Sequence, residues 1–340
     1  MPRTPVPVAL TLLLLPLAAC ESDPPATSAT TSSASSAPTT SAPARTAAMT
    51  TKEAATFWKA APKHLKSAYA AAYGKKYDRS ALAEVFAEPS LSVFTFASLY
   101  KQAVKDTDKP GTIRFAPEVL YAGAPGSGAE SALSVGRGSI GWGGQSAAAS
   151  AAVWLRRTSP DADWRVAASV PVAMDRLPEA PDPGAAEPSD ADRAWARKAV
   201  DAIADYLETG RAKGFTPGTL LTNIHKSEKD SGFKVRTTAA LFGKKTDDPT
   251  APGGSVSVWR AGSEVVAIGV IERHQVVTDP NGGMLTYKDE IRKLYRLPST
   301  QAKEGSLYQA VTVLITGKPA GKPTVVAAQS GALMPPRLRD

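Results

Sequence analysis

Apolar side chains recur at three- and four-residue steps from Thr51 onward, with Phe57, Trp58, Ala61, Leu65, Ala68, Ala72 and Tyr73 on one stripe. That period belongs to a helix with one buried face, and Pro62 inside it predicts a kink or a break. A shorter helix is expected over residues 80–87, stopped by Pro89. The pattern then changes to short apolar runs. Residues 92–96, 111–115, 132–135, 152–156 and 164–170 read as strands separated by Gly, Pro and Asp. The last two flank residues 158–163, a hairpin loop rich in turn formers.

Residues 177–189 carry four prolines, one glycine and few large apolar side chains, the composition of a linker. Ser189 or Asp190 then serves as the N-cap of a second long helix reaching about Arg211. Trp195, Ala199, Ile203, Tyr206 and Leu207 lie on one side of it, and Gly210 and Gly214 end it. Thr216 and Pro217 can cap a short helix to about Glu228. Strands resume at 233–237, 255–260, 265–278, 284–287, 308–315 and 324–329, with a turn at 279–283; the pattern leaves 291–304 unassigned. The order long helix, short helix, antiparallel strands therefore occurs twice. It predicts an α+β fold of two domains, each a long N-terminal helix packed on a curved, mostly antiparallel sheet. The expected division is 51–177 and 190–340, joined by a linker at 178–189. Such an order resembles the NTF2-like and cystatin-like cone folds, a likeness that brings no function with it.

Ahead of the first helix, Arg3 and the amino terminus precede an apolar stretch from Val6 to Leu17. A bilayer span needs about 20 apolar residues, so this stretch has the length of a signal-peptide core instead. It ends in Leu17-Ala18-Ala19-Cys20, which resembles the lipobox of bacterial lipoproteins. The resemblance implies cleavage after residue 19 and a diacylglycerol, with palmitate-type acyl chains, on the Cys20 thiol. Each buried CH₂ contributes about 0.8 kcal/mol, so two or more chains anchor stably. Of the 30 residues from Glu21 to Thr50, 26 are Ser, Thr, Ala or Pro. They cannot bury apolar surface, and residues 20–50 are expected to form a flexible tether. The layout also resembles a family of actinobacterial lipoproteins through residues 153–157, 164–167, 177–178, 255–260 and 324–331. That likeness implies no activity.

The chain has 340 residues, 43% apolar and 21% charged, with a formal net charge of +8. Those values fit a globular protein and exclude a multi-span membrane protein. One cysteine excludes an intrachain disulfide and a Cys-based metal cluster, and three histidines leave little for a zinc site. Gly136-Arg-Gly-Ser-Ile-Gly141 matches the dinucleotide fingerprint, but no helix is expected after it, so a glycine-bulged strand is the better reading. Ser127 and Ser139 lie near glycines, yet neither has glycine at both positions of a nucleophile elbow. Glu272 and His274 alternate on a strand and share a face, as an acid/base pair or two metal ligands would. A surface or hydrogen-bonded histidine is the simpler reading, and His64 and His225 have no ligand spacing. Asp279, Asn281 and Glu290 fit part of a calcium loop, but Gly283 and Tyr287 occupy ligand positions and favour a turn.

Basic residues cluster at 63–76, 226–236, 288–296 and 336–339. Plain solvated faces are the default reading of such clusters; as partners outside the cytoplasm, anionic phospholipids or envelope polymers are more plausible than nucleic acid. Trp58 and Trp195 on the long helices, with Trp154 and Trp259 on strands, are expected to pack helix against sheet or to line a cavity there. The combined expectation is a lipid-anchored protein facing outward from the cell membrane. It would be a non-enzymatic binding or interaction module of the envelope, with no cofactor, no metal and no catalytic residue assigned. The alternatives are a small-molecule or lipid carrier using a helix–sheet cavity, and a hydrolase or isomerase with scattered residues. Cys20→Ser should move the protein from the membrane fraction to the medium or leave it as uncut precursor. A processed, membrane-bound Cys20→Ser protein contradicts the anchor.

Overall fold

The structure is a computed structural model. It describes residues 47–335 except 73–77, 106–113, 127, 140–149, 244–249, 251–253 and 334, so Cys20 and residues 21–46 of the expected tether lie outside the described residues. Helices α1 (Thr51–Ala72), α2 (Arg79–Ala83) and α3 (Ser90–Ala103) lead into strands β1 (Arg114–Ala122), β2 (Glu130–Ser139), β3 (Ser150–Arg157) and β4 (Arg165–Pro171). These strands form an antiparallel meander in the order β1-β2-β3-β4. The second half repeats the order. Helices α4 (Asp190–Thr209) and α5 (Thr219–Asp230) precede β5 (Lys234–Leu241), β6 (Val256–Ala261) and β7 (Glu264–Thr278). A short ribbon of β8 (Leu285–Thr286) and β9 (Gln301–Ala302) brackets helix α6 (Asp289–Leu294), and β10 (Glu304–Gly317) and β11 (Thr324–Leu333) complete the chain.

β5 and β6 lie end to end along one side of β7. β5 pairs with residues 271–278 and β6 with residues 264–269. At the junction Phe242 N donates to Val270 O at 2.9 Å, and Val270 N donates to Ser255 O at 3.1 Å. The second sheet is thus four rows wide like the first, with its first row interrupted. Both halves also use a parallel bridge to the last strand, Phe86 with Val166 and Thr216 with Thr324.

Alternation along the strands places the core in three layers. Val153 and Leu155 face α1, which buries Trp58, Ala61, Leu65 and Tyr69 on them. Trp58 Nε1 donates to Ser134 Oγ at 3.0 Å. On the far side α4 buries Trp195, Val200, Ile203 and Leu207 against Val265, Ala267, Val311 and Val313. Between them the two sheets meet face to face. Leu133, Trp154, Ala168 and Val170 pack against Trp259, Val266, Ile268, Val270 and Leu314. The result is a helix–sheet–sheet–helix sandwich, an α+β fold in which both halves share the middle layer.

α4 follows local rules closely. Ser189 and Asp192 form a reciprocal capping box, and Gly210 ends the helix at φ 71°, a left-handed conformation that favours glycine. Several expectations are corrected. Residues 92–96 are helical, in α3, rather than a strand. α3 sends Phe94 into the first core, Phe96 onto Ile291 and Tyr295, and Val93 toward the middle layer. A helix buried on several sides has no single apolar stripe, so its run of Val, Phe and Thr imitates a strand. α1 runs unbroken through Pro62, which lies on its exposed side. α5 starts at Thr219 with Gly218 as N-cap, because Thr216 is used in the bridge to β11. Trp154 and Trp259 do not pack helix against sheet: Val153 and Leu155 take the helix face, and alternation turns Trp154 to the opposite sheet.

Candidate functional site

The expected tether of residues 20–50 is too long by four residues at its C-terminal end, because residues 47–50 are part of the fold. Ala47, Ala48 and Met49 are all buried. Ala48 N donates to Gly123 O at 2.8 Å, and Arg157 Nη2 donates to Ala48 O at 2.9 Å. Arg157 Nε also donates to Glu130 Oε2 at 2.6 Å, and its guanidinium lies 4.5 Å over the Trp164 ring. The pair is paired and hydrogen-bonded, as burial of both charges requires. Thr50 then caps α1 reciprocally with Glu53, through Thr50 N to Oε2 at 2.7 Å and Glu53 N to Thr50 Oγ1 at 3.2 Å.

Beside this junction opens a groove of about 540 Å³. Its walls are Thr51, Ala54 and Ala55 of α1, residues 117–121 of β1, Val135, and residues of the 174–183 segment including Met174, Leu177, Pro178, Pro181 and Pro183. β1 is the edge strand of the first sheet, and the groove follows that edge. A register shift falls between Pro117 and Val119, where Pro117 lies opposite Gly136. A Cβ on Gly136 would come within 2.0 Å of Ala116 O, so only glycine allows this close approach. The segment expected to be a plain linker, 178–189, instead packs Ala180 against the middle layer, as do Met174 and Leu177 just before it. It bonds to β1 through Gly184 N to Ala122 O at 2.9 Å and through a short bond donated by Tyr121 Oη to Pro178 O. Burial pushes the Tyr121 phenol up to about 12, so it stays a neutral donor. Apolar walls, prolines and a partly covered strand edge suit contact with an apolar or extended partner.

A second polar cluster lies between α5 and the second sheet, and sequence patterns missed it. Glu228 accepts from Arg273 Nη2 in a short ion pair, from Gln275 Nε2 at 2.7 Å and from Thr237 Oγ1 at 2.8 Å. Arg273 Nη1 donates to Gln309 Oε1 at 2.6 Å. Burial lowers the Arg273 guanidinium to about 10, still charged at neutral pH. His225 places Nδ1 3.1 Å from Glu228 Oε2 and Nε2 2.6 Å from Tyr206 O. The readable signal was Arg273 and Gln275 alternating inward along a strand of Val and Ile.

The other candidates fall as follows. Glu272 and His274 do share a face of β7, where His274 stacks on Tyr308 with centroids 4.2 Å apart. Gly136, Arg137, Gly138 and Ser139 lie within antiparallel β2, and the next described element is strand β3, while Ile140, Gly141 and Ser127 lie outside the described residues. Asp279 closes a turn by accepting from Asn281 N at 2.7 Å, and Glu290 is in the first turn of α6. Among the described residues no group of His, Cys, Asp and Glu is placed to hold a metal, and no helix is long and apolar enough to cross a membrane. His64 is exposed on α1. No family model matches the chain, and no curated protein is similar to it.

Burial holds His225 below the ordinary imidazole range; the Tyr206 carbonyl opposes this, and Arg273 and Lys229 reinforce it. Burial likewise lowers His274, against the pull of Glu272 and with that of Arg236. Below about pH 6.5 the unfolded chain therefore binds more protons at these sites than the folded one. Stability to denaturant should fall as pH drops through 6.5 toward 5, and the His225→Gln/His274→Gln double variant should show a shallower fall. Equal slopes for the two proteins, measured by urea titration across that range, contradict the assignment.

Proposed function

We propose that the protein is a lipid-anchored component of the cell envelope, attached through Cys20 and facing outward, and that it acts as a non-enzymatic interaction module. Residues 51–177 and 190–340 are its two folded halves. Two features of the chain support the anchor: the Leu17-Ala18-Ala19-Cys20 spelling and the Ser/Thr/Ala/Pro-rich stretch behind it. The observation that carries the interaction reading is where the apolar surface lies. The helix–sheet layers are closed by side chains such as Trp58, Leu65, Trp195 and Ile203, whereas apolar surface opens outward in the groove along β1. The groove has Glu118 and Glu179 beside its apolar walls, with the Tyr121 hydroxyl already bonded to Pro178 O. Those groups form neither a nucleophile–base pair nor an oxyanion pocket. They suit recognition of an apolar segment of another envelope protein.

The second reading is a carrier of a small apolar molecule. Its support is the groove's volume, which lies within the range of about 300–1,000 Å³ common for small-molecule sites. Native mass spectrometry of the folded part, from residue 46 onward, separates the two readings. The interaction reading expects the mass of the polypeptide alone after secretion from an actinobacterial host. A stoichiometric small-molecule adduct that Ala55→Arg abolishes would replace it with the carrier.

A further inference from the structure

The outer faces of the two long helices differ in charge. α1 and α4 play the same part in their halves, each burying one stripe on its sheet. On α1 the exposed side carries Lys52, Lys59, Lys63 and Lys66. At about 100° per residue these four fall within an arc of about 60°, centred about 140° around the helix from the buried stripe. The one other position of the helix on that arc is Ala70, so no acid shares the face. Glu53, the one acid of α1, lies off the arc and is used in the cap with Thr50. α4 instead exposes Asp190, Asp201, Asp205 and Glu208 among Arg197 and Lys198, with Arg197 Nε 3.9 Å from Asp201 Oδ2.

A solvated helix face ordinarily mixes signs as α4 does. Like charges three and four residues apart, as in Lys59, Lys63 and Lys66, destabilise a helix. An external anionic surface offsets that repulsion. The lysines extend over about 21 Å of helix, which matches a flat array of charges rather than a single ion. Placement points the same way. α1 starts directly after the buried 47–49 segment, so its first turn lies at the point where the tether leaves the fold. A coil of the 26 residues from 21 to 46 would span roughly 30 Å, keeping this face within reach of the headgroups.

We propose that the lysine face of α1 docks on the anionic phospholipid surface to which the protein is tethered, so that the sandwich lies α1-down with α4 outward. This rests on the lipid-anchor reading. A lysine at such a surface contributes about 1 kcal/mol, about a fivefold shift in the docked population, and the contribution fades with salt.

The test uses the mature lipidated protein in phosphatidylcholine vesicles with and without phosphatidylglycerol, with the amine reactivity of individual lysines read by mass spectrometry. Docking predicts that Lys59, Lys63 and Lys66 lose reactivity about fivefold or more only when phosphatidylglycerol is present. High salt should restore them, and Lys198 on α4 should not change. Lys59→Gln/Lys63→Gln/Lys66→Gln, all on the exposed face, should reduce the docked population about 100-fold and so restore the reactivity of Lys52. Equal lysine reactivity on both vesicle types, with the protein retained on both, overturns docking and leaves the anchor standing. Protection by soluble poly(glycerol phosphate) but not by vesicles also overturns it and assigns the face to a wall polymer. A protein that leaves phosphatidylcholine vesicles altogether overturns the anchor. Docking is then decided by whether phosphatidylglycerol vesicles alone capture the protein and protect the same lysines.

Discussion

Trp154 and Trp259 come from different halves of the chain and lie in one apolar layer, almost free of solvent contact at 0% and 3% exposure. Each sheet has a helix on its outer face, so its inner face has to be covered by something else, and the other sheet is what covers it. Neither inner face, with Leu133, Val135 and Val170 on one side and Val266, Ile268 and Leu314 on the other, could stand exposed to water without a large penalty. The two halves are therefore repeats in design but dependent on one another in stability. α3 adds a second tie by crossing from the first half to reach β11 and α6.

That constraint explains where the groove lies. Stacking two sheets leaves four strand edges to manage. β4 and β11 are each partly closed by a parallel bridge, at Phe86 and at Thr216. β5 and β6 are broken from one another opposite Val270. β1 is handled differently, with a proline, a register shift, and a chain segment bonded to it at Pro178 and Gly184. Between that segment and α1 the edge stays open. The entry of the chain into α1 is fixed beside it, where Arg157, paired with Glu130, donates to Ala48 O, so the groove and the start of the lysine face of α1 lie next to one another.

Local chemistry in the sequence was enough to read α4, with its Ser189 cap and Gly210 stop, and the strands bounded by Gly, Pro and Asp. It failed for α3, because a helix that meets three neighbours has no preferred stripe. It failed also for the relation between the halves. Strands such as β3, buried on both faces, show that two layers exist but not that the second is another sheet. The groove depends on the 174–183 segment folding back on β1, a long-range contact with no local signature. The Glu228–Arg273 cluster left only the faint mark of polar residues at inward strand positions. The resemblance of residues 17–20 to a lipobox needs no fold at all, being read as a peptide. The lysine stripe of α1 was visible as a charge cluster, but its sharp separation from any acid required the helix to be placed.

The central claim is that the sheets of both halves form one cooperative body, presenting its groove and its lysine face from a rigid frame. Native-state hydrogen exchange on Trp154→Ala tests it most directly. Removing that side chain from the shared layer should cost about 3–5 kcal/mol. Amides of β3 in the first sheet and of β7 and β10 in the second should lose protection together and by the same amount. Loss confined to β1–β4, with β7 and β10 as protected as before, would contradict it and make the halves independent domains.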